Sequence, residues 1–238
     1  YSQATWSPDG SRVAWSRLDE SGPALVTGRF DGSTKNALQV PYLPFYIGWS
    51  PNGDQLAYLS NWQLANEPSI ALRIVDVGDD GNKATTLASG QPFYFSWAPD
   101  GEQLLTHIGN ERVELRPISG DPKSLIISTG SFPAPQWSSD GRTLLYATVD
   151  DSGSHLVVTD LDGQPQQELT SFDERITFSE NADGDKVAYV LTNAAAPANT
   201  LGSLYVVEDD TLQTREISSD LVMAFHWSPD GQKLAYLT

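Results

Sequence analysis

The sequence predicts an all-β fold made of repeated four-stranded antiparallel sheets, and three observations predict it. One turn phrase returns six times along 238 residues. An apolar, small-or-Leu, usually aromatic triplet follows each copy, as the edge of a strand would. Between successive copies lies a further pair of strand-like runs, most often joined by Asp- and Gly-containing turns.

The phrase reads Trp6-Ser7-Pro8-Asp9-Gly10, Trp49-Ser50-Pro51-Asn52-Gly53, Trp97-Ala98-Pro99-Asp100-Gly101, Trp137-Ser138-Ser139-Asp140-Gly141 and Trp227-Ser228-Pro229-Asp230-Gly231, with a worn copy at Glu180-Asn181-Ala182-Asp183-Gly184. First positions 6, 49, 97, 137, 180 and 227 differ by 43, 48, 40, 43 and 47 residues, the period of an architecture that repeats one supersecondary unit. Pro presets a turn angle, Asp or Asn bonds amides two residues on, and Gly accepts a positive φ, so each tetrad closes a hairpin. The triplets Val13-Ala14-Trp15, Leu56-Ala57-Tyr58, Leu104-Leu105-Thr106, Leu144-Leu145-Tyr146, Val187-Ala188-Tyr189 and Leu234-Ala235-Tyr236 follow. Ahead of the turn, the position before the Trp is usually small (Thr5, Gly48, Ser96, Ser179) and the one before that mostly bulky (Ile47, Phe95, Phe178, Phe225). Residues two apart share a face, so each sheet has a large and a small side, and stacked copies fill each other's hollows with Trp.

In order along the chain, the first unit comprises Ser2–Ser7, Arg12–Arg17, a polar connection Asp19-Glu20-Ser21-Gly22, Ala24–Phe30, a turn at Asp31-Gly32 and Lys35–Val40. The second has Ile70–Asp76 and Ala84–Ser89 around Gly78-Asp79-Asp80-Gly81, with a longer middle connection, Asn61–Ser69, that carries Trp62. Arg112–Pro117 and Lys123–Ser128 belong to the third, and His155–Asp160 and Gln166–Thr170 to the fourth. The fifth has an Ala-rich insertion, Thr192–Gly202, then Ser203–Glu208 and Thr214–Ser219; after the sixth phrase only two strands remain before Thr238.

The W-S-P-D-G phrase, the apolar strand after it and the D-x-D-G turn Asp160-Leu161-Asp162-Gly163 resemble TolB-like, or PD40 (WD40-like), β-propeller repeats over essentially the whole chain. The resemblance implies a β-propeller of four-stranded antiparallel blades, with five complete blades and half of a sixth. It also implies one domain over 1–238 with blades starting near residues 1, 44, 92, 132, 175 and 222. Blade five departs from the pattern: its turn is expected to survive through Asp183-Gly184, and the inter-blade Trp contact is not. A propeller avoids strand edges by closing its circle, so a longer parent chain is expected to supply the missing strands and bring the count to six blades or more. The lack of a starting Met and of a signal peptide fits an excised segment.

The S-P-D-G and D-x-D-G turns fall together on one face and read as scaffold. The opposite connections vary and are rich in aromatics, and variable loops on a rigid scaffold are where binding resides. Candidate partner-binding residues there are Tyr42, Tyr46, Trp62, Phe93, Tyr94, Phe132, Arg175 and His226, grouped at the mouth of a central channel. Tyr and Trp suit such a surface because they bury area and keep a polar tip. The alternative for Phe93, Phe95 and Phe225, and for Tyr42, Tyr46 and Trp62, is that they plug the space between blades. His226 reads first as a hydrogen-bonded core histidine and second as a ligand, Glu180 first as drift. His107 and His155 fall at strand ends without ligand spacing.

Composition bounds the function. Apolar residues at 39% can build a sizeable core, and no apolar run reaches the length of a membrane-spanning helix. With 14 Lys and Arg against 31 Asp and Glu, the net charge of -17 repels phosphate backbones, which argues against nucleic acid as a partner. The absence of Cys excludes a disulfide framework and thiolate chemistry. No G-x-S-x-G elbow and no H-E-x-x-H is present, and the acidic pairs Asp79-Asp80, Asp150-Asp151 and Asp209-Asp210 lack the ligand order of an EF-hand, so no catalytic residue, metal or cofactor is assigned. Two functions follow. The favoured one is a non-catalytic scaffold binding a protein, peptide or glycan, extracytoplasmic as the resemblance to TolB implies. The rival is the gating propeller of a larger prolyl-oligopeptidase-like serine hydrolase.

Overall fold

The computed structural model describes residues 4–64, 67–78, 83–91, 93–109, 112–125, 134–173, 175–192, 202–208 and 211–238. Most of the turn at Gly78–Gly81, the acidic pairs Asp79-Asp80 and Asp209-Asp210, Phe132, and most of the Thr192–Gly202 insertion lie outside the described residues.

Among the described residues, five four-stranded sheets and one two-stranded sheet form, each a meander of sequential neighbours. The first holds β1 (Ala4–Trp6), β2 (Arg12–Asp19), β3 (Gly22–Arg29) and β4 (Lys35–Gln39), and the second β5 (Pro44–Trp49), β6 (Gln55–Leu64), β7 (Glu67–Asp76) and β8 (Thr85–Gly90). The third holds β9 (Phe93–Trp97), β10 (Gln103–Ile108), β11 (Arg112–Pro117) and β12 (Lys123–Leu125). The fourth comprises β13 (Gln136–Trp137), β14 (Thr143–Asp150), β15 (Gly153–Asp160) and β16 (Pro165–Phe172). The fifth comprises β17 (Arg175–Glu180), β18 (Lys186–Thr192), β19 (Gly202–Glu208) and β20 (Thr214–Val222), and the last sheet pairs β21 (Ala224–Trp227) with β22 (Leu234–Leu237). The five-and-a-half-blade expectation therefore holds in strand count and order.

The second sheet corrects one element. The described parts of Asn61–Ser69 are strand and not loop: Asn61–Leu64 ends the ten-residue β6 and residues 67–69 begin the ten-residue β7, with Trp62 opposite Ser69 and Gln63 opposite Pro68. The cross-strand ladder overrides the polar composition of Asn61-Trp62-Gln63, whose Asn61 and Gln63 stay exposed.

Each turn phrase closes as its chemistry dictates. The Ser7 hydroxyl donates to Asp9 Oδ1 (2.6 Å) and accepts from the Arg12 amide (2.9 Å), while Asp9 Oδ1 accepts from the Ser11 amide (3.0 Å). Gly10 sits at φ 68° and returns its amide to the Ser7 carbonyl (2.9 Å). These donors hold the Asp9 carboxyl well below the usual carboxylate range, the Ser7 hydroxyl first among them. The same pattern recurs around Ser50, Ser138 and Ser228. In the worn copy Asn181 replaces the Ser, and its side-chain oxygen accepts from the amides of Asp185 (3.1 Å) and Lys186 (3.0 Å), so the turn survives.

The chain parts into two compact units, Tyr1–Gly109 with Arg116–Asp121, and Asn110–Leu115 with Pro122–Thr238. Within the first, Ala14 and Leu25 of one sheet pack on Ile47, Trp49, Leu56 and Tyr58 of the next, whose far side sets Ala57, Leu59 and Leu72 against Phe93, Phe95 and Leu104. In the second unit, Leu145 and Leu156 meet Ile176, Phe178 and Tyr189, and Val190 and Leu204 meet Phe225. Sheet-on-sheet burial of this kind stabilises by about 1.5–3 kcal/mol per large side chain removed from water.

The signature Trp residues tie neighbouring sheets by a fixed rule. Trp49 Nε1 donates to the Thr5 carbonyl (3.1 Å), Trp97 Nε1 to Gly48 (3.2 Å) and Trp227 Nε1 to Ser179 (2.9 Å), in each case the residue just ahead of the preceding phrase's first position. Trp137 is the exception, its buried indole nitrogen lacking a partner among the described residues. The hollow at Gly48 is filled by two rings: a Cβ there would stand 3.3 Å from Phe95 Cε2 and 3.8 Å from Trp97 Cδ1, so Phe95 enters more deeply than the Trp does.

Blade five replaces the Trp contact with another. Glu180, at the Trp position, accepts from the Ser139 amide (2.7 Å) through its carboxylate. Ser139 stands where four of the other phrases carry Pro, and only a non-Pro residue has that amide to donate. Two departures from the repeat, 41 residues apart, thus complete one hydrogen bond.

Candidate functional site

In the first unit the edge opposite the turn phrases gathers aromatic side chains from three segments. Tyr42 lies between β4 and β5, and its ring meets Trp62 of β6 edge-on, with centroids 6.0 Å apart and planes at 78°. Both are half-buried. Tyr46, on β5 and 38% exposed, contacts Phe95 of β9 edge-on at 5.1 Å. Tyr94 is half-buried beside it, and burial first, then the neighbouring Tyr46, pushes its phenol above the ordinary tyrosine range. Phe93 is 8% exposed and packs in the core with Leu59 and Leu104, so it supports this surface from behind. Phe95 and Phe225 are likewise buried, as the plug reading expects.

Sequence reasoning missed Arg73. It lies on β7, opposite Tyr58 on one side and Thr86 on the other, and is 3% exposed. Its guanidinium carbon stands 4.9 Å from the Trp62 ring centroid and 6.0 Å from that of Tyr42. Nη1 donates to the Ser60 hydroxyl, and Nη2 is buried without a hydrogen-bond partner. The Tyr58 hydroxyl is also buried and unpartnered, its phenol pushed up to about 12 by burial against the opposing effect of the Arg73 charge. A signal was present: Arg73 interrupts the otherwise apolar run Ile70-Ala71-Leu72 and Ile74-Val75 of a strand.

In the second unit Arg175, exposed at the start of β17, lines a cleft of about 550 Å³ with Asp173, Thr192 and Tyr205. His226 is exposed on β21, which corrects the core-histidine reading: it sits in a two-stranded sheet, opposite Ala235. His155 is the engaged histidine of this unit. Its Nδ1 meets Glu168 Oε1 at 2.9 Å, and its Nε2 faces the Ser152 hydroxyl at 3.0 Å and Asp150 Oδ1 at 3.5 Å. The Glu168 hydrogen bond first, then the charges of Glu168 and Asp150, raise its pKa above the ordinary 6.5. A raised folded-state value means stabilisation that is fully present below 6.5 and is lost as pH rises through the folded pKa. An NMR titration is expected to place the His155 midpoint above 6.5, and Glu168→Gln to lower it; a wild-type midpoint at or below 6.5 would contradict this geometry.

No family model matches the chain, and no curated protein matches it in sequence. Solved structures do match in fold. Dipeptidyl peptidase 4 from Porphyromonas gingivalis superposes with a TM-score of 0.71 at 15% identity, over 98% of this chain and 41% of that one. A putative TolB from Agrobacterium tumefaciens gives 0.60 at 18% identity over 100% of this chain and 90% of that one, and TolB from Acinetobacter baumannii 0.57 at 18% over 92% and 54%. The chain thus spans about half of the latter TolB and well under half of the peptidase. With these matches, the five four-stranded meanders and the half blade identify the chain as having the TolB-like β-propeller fold.

Proposed function

We propose that this chain is a non-catalytic binding scaffold whose aromatic face in the first unit engages a protein, peptide or glycan outside the cytoplasm. The observation that carries the reading is the gathering of Tyr42, Tyr46, Trp62 and Tyr94, all at least partly accessible, along the edge opposite the repeated turns. Aromatic rings of this kind contribute most of the energy at binding surfaces, at low cost in side-chain entropy. Phe93 supports the face from the core, and Arg175 and His226, both exposed, are proposed as contacts of the second unit by itself. The likeness to TolB supports a binding role and an extracytoplasmic setting.

The test is a peptide and glycan array probed with wild type and with the Tyr42→Ala/Tyr46→Ala double variant. Saturable binders are expected whose affinity falls about thirtyfold or more in the variant, the effect of losing a hot spot, with an unchanged circular dichroism spectrum. Binders retained in full by the variant would overturn the reading.

The second reading, a propeller gating a prolyl-oligopeptidase-like hydrolase, is favoured by the peptidase match, of which this chain covers 41%. It requires a G-x-S-x-G domain in the full-length gene product, and sequencing the whole gene decides between them.

A further inference from the structure

We propose that the cleft between the end of β4 and the β6–β7 hairpin is a binding site for an organic carboxylate with a flat apolar body, its acid group taken by Arg73 and Lys83. The inference rests on the reading of this face as a binding surface and names the ligand chemistry.

The cleft, about 470 Å³, is lined by Val40, Pro41, Trp62, Arg73, Lys83 and Thr86, among others. That volume falls in the range of small-molecule sites. In a chain of net charge -17 it carries two cations and no carboxylate among its described lining residues. Arg73 is the anomaly that needs an explanation. A guanidinium stays charged at any physiological pH, so it cannot shed its proton to fit its burial. Buried charges require a paired anion or a full set of hydrogen bonds. Among the described residues Arg73 has no carboxylate partner, Nη2 has no acceptor, and the neighbouring Tyr58 hydroxyl, its pKa near 12, is a neutral phenol at physiological pH and cannot act as counter-ion. The rings of Trp62 and Tyr42 offset the charge in part through their π faces, and Ser60 takes Nη1, which leaves Nη2 without an acceptor.

A carboxylate supplies the acceptor that Arg73 lacks. One oxygen accepts from Arg73 Nη2, and the exposed ammonium of Lys83 approaches from the solvent side. The ligand body then lies against the half-buried Trp62 and the apolar lining of Val40 and Pro41. The source of the acid is either a peptide C-terminus or a free aromatic acid, and both present the same group.

Isothermal titration of the whole chain with N-acetylphenylalanine and with benzoate, each beside its neutral amide, tests the site. Saturable binding of at least one acid is expected, with its amide about tenfold or more weaker, since a hydrogen bond between charged groups is worth at least one decade in affinity. N-acetylphenylalanine binding more tightly assigns the site to peptide termini; benzoate binding more tightly assigns it to free aromatic acids. Arg73→Met keeps the stem and removes the unpaired charge, so it is expected to fold and to lose acid binding by about tenfold or more. Lys83→Glu, at an exposed position, is expected to weaken the acid while leaving the amide unaffected. Equal affinity for acid and amide, acid binding untouched by either substitution, or no saturable binding of either acid would overturn the proposal. If neither acid binds while the array still yields ligands lost in Tyr42→Ala/Tyr46→Ala, the carboxylate assignment falls and the binding face stands. If the array is also blank, both fall.

Discussion

Trp49→Ala is expected to destabilise the first unit by about 3–5 kcal/mol, the cost of deleting a buried large aromatic, while Trp6→Ala costs less than about 1 kcal/mol. The two residues hold the same place in the same phrase, so motif identity alone predicts equal effects. Burial separates them. Trp49 is 8% exposed, packs with Ile47 and Tyr58, carries the Arg12 guanidinium 5.1 Å from its ring and donates its indole N–H to Thr5. Trp6 is 59% exposed and, among the described residues, meets the ring of Phe30 at 6.5 Å. The signature Trp stabilises through the sheet that precedes it, and urea denaturation of the two variants measures the difference. Equal losses would show that the Trp acts within its own hairpin instead.

Phe95→Ala is expected to cost about 3–5 kcal/mol, because the ring is 1% exposed and fills the hollow above Gly48. The reverse change is also costly. A side chain at Gly48 begins 3.3 Å from Phe95 Cε2, so Gly48→Val overpacks the contact by about 1–3 kcal/mol. Because the two positions share one space, the double variant Gly48→Val/Phe95→Ala is expected to be more stable than the sum of the single losses predicts. Strict additivity in the denaturation midpoints would place the two residues in separate environments.

The repeat made most of the fold legible. Pro, Asp and Gly in the turn phrase set the hairpins, and the small residue that usually precedes the first position of the phrase marked where the next sheet would press. The hairpin arm around Trp62 was hidden, because Asn61 and Gln63 look like loop residues until a partner strand is in place to pair with them. The Glu180–Ser139 hydrogen bond was hidden for a different reason. Each residue breaks the repeat alone, and only the packing of successive sheets brings the carboxylate to a turn amide that Pro would have removed. At the candidate site Tyr42, Tyr46 and Trp62 could be read from composition and position. Arg73 was passed over because alternation along β7 is read for its apolar members, whereas the informative residue is the charged one that the sheet buries among them.

The binding face is tested most directly by amide hydrogen exchange on the chain with a ligand recovered from the array. Protection is predicted to concentrate at residues 40–46, 60–63 and 93–95, with the turn phrases at 7–10, 50–53 and 98–101 unchanged. Protection centred on the turn phrases, with the aromatic edge unchanged, would contradict the account.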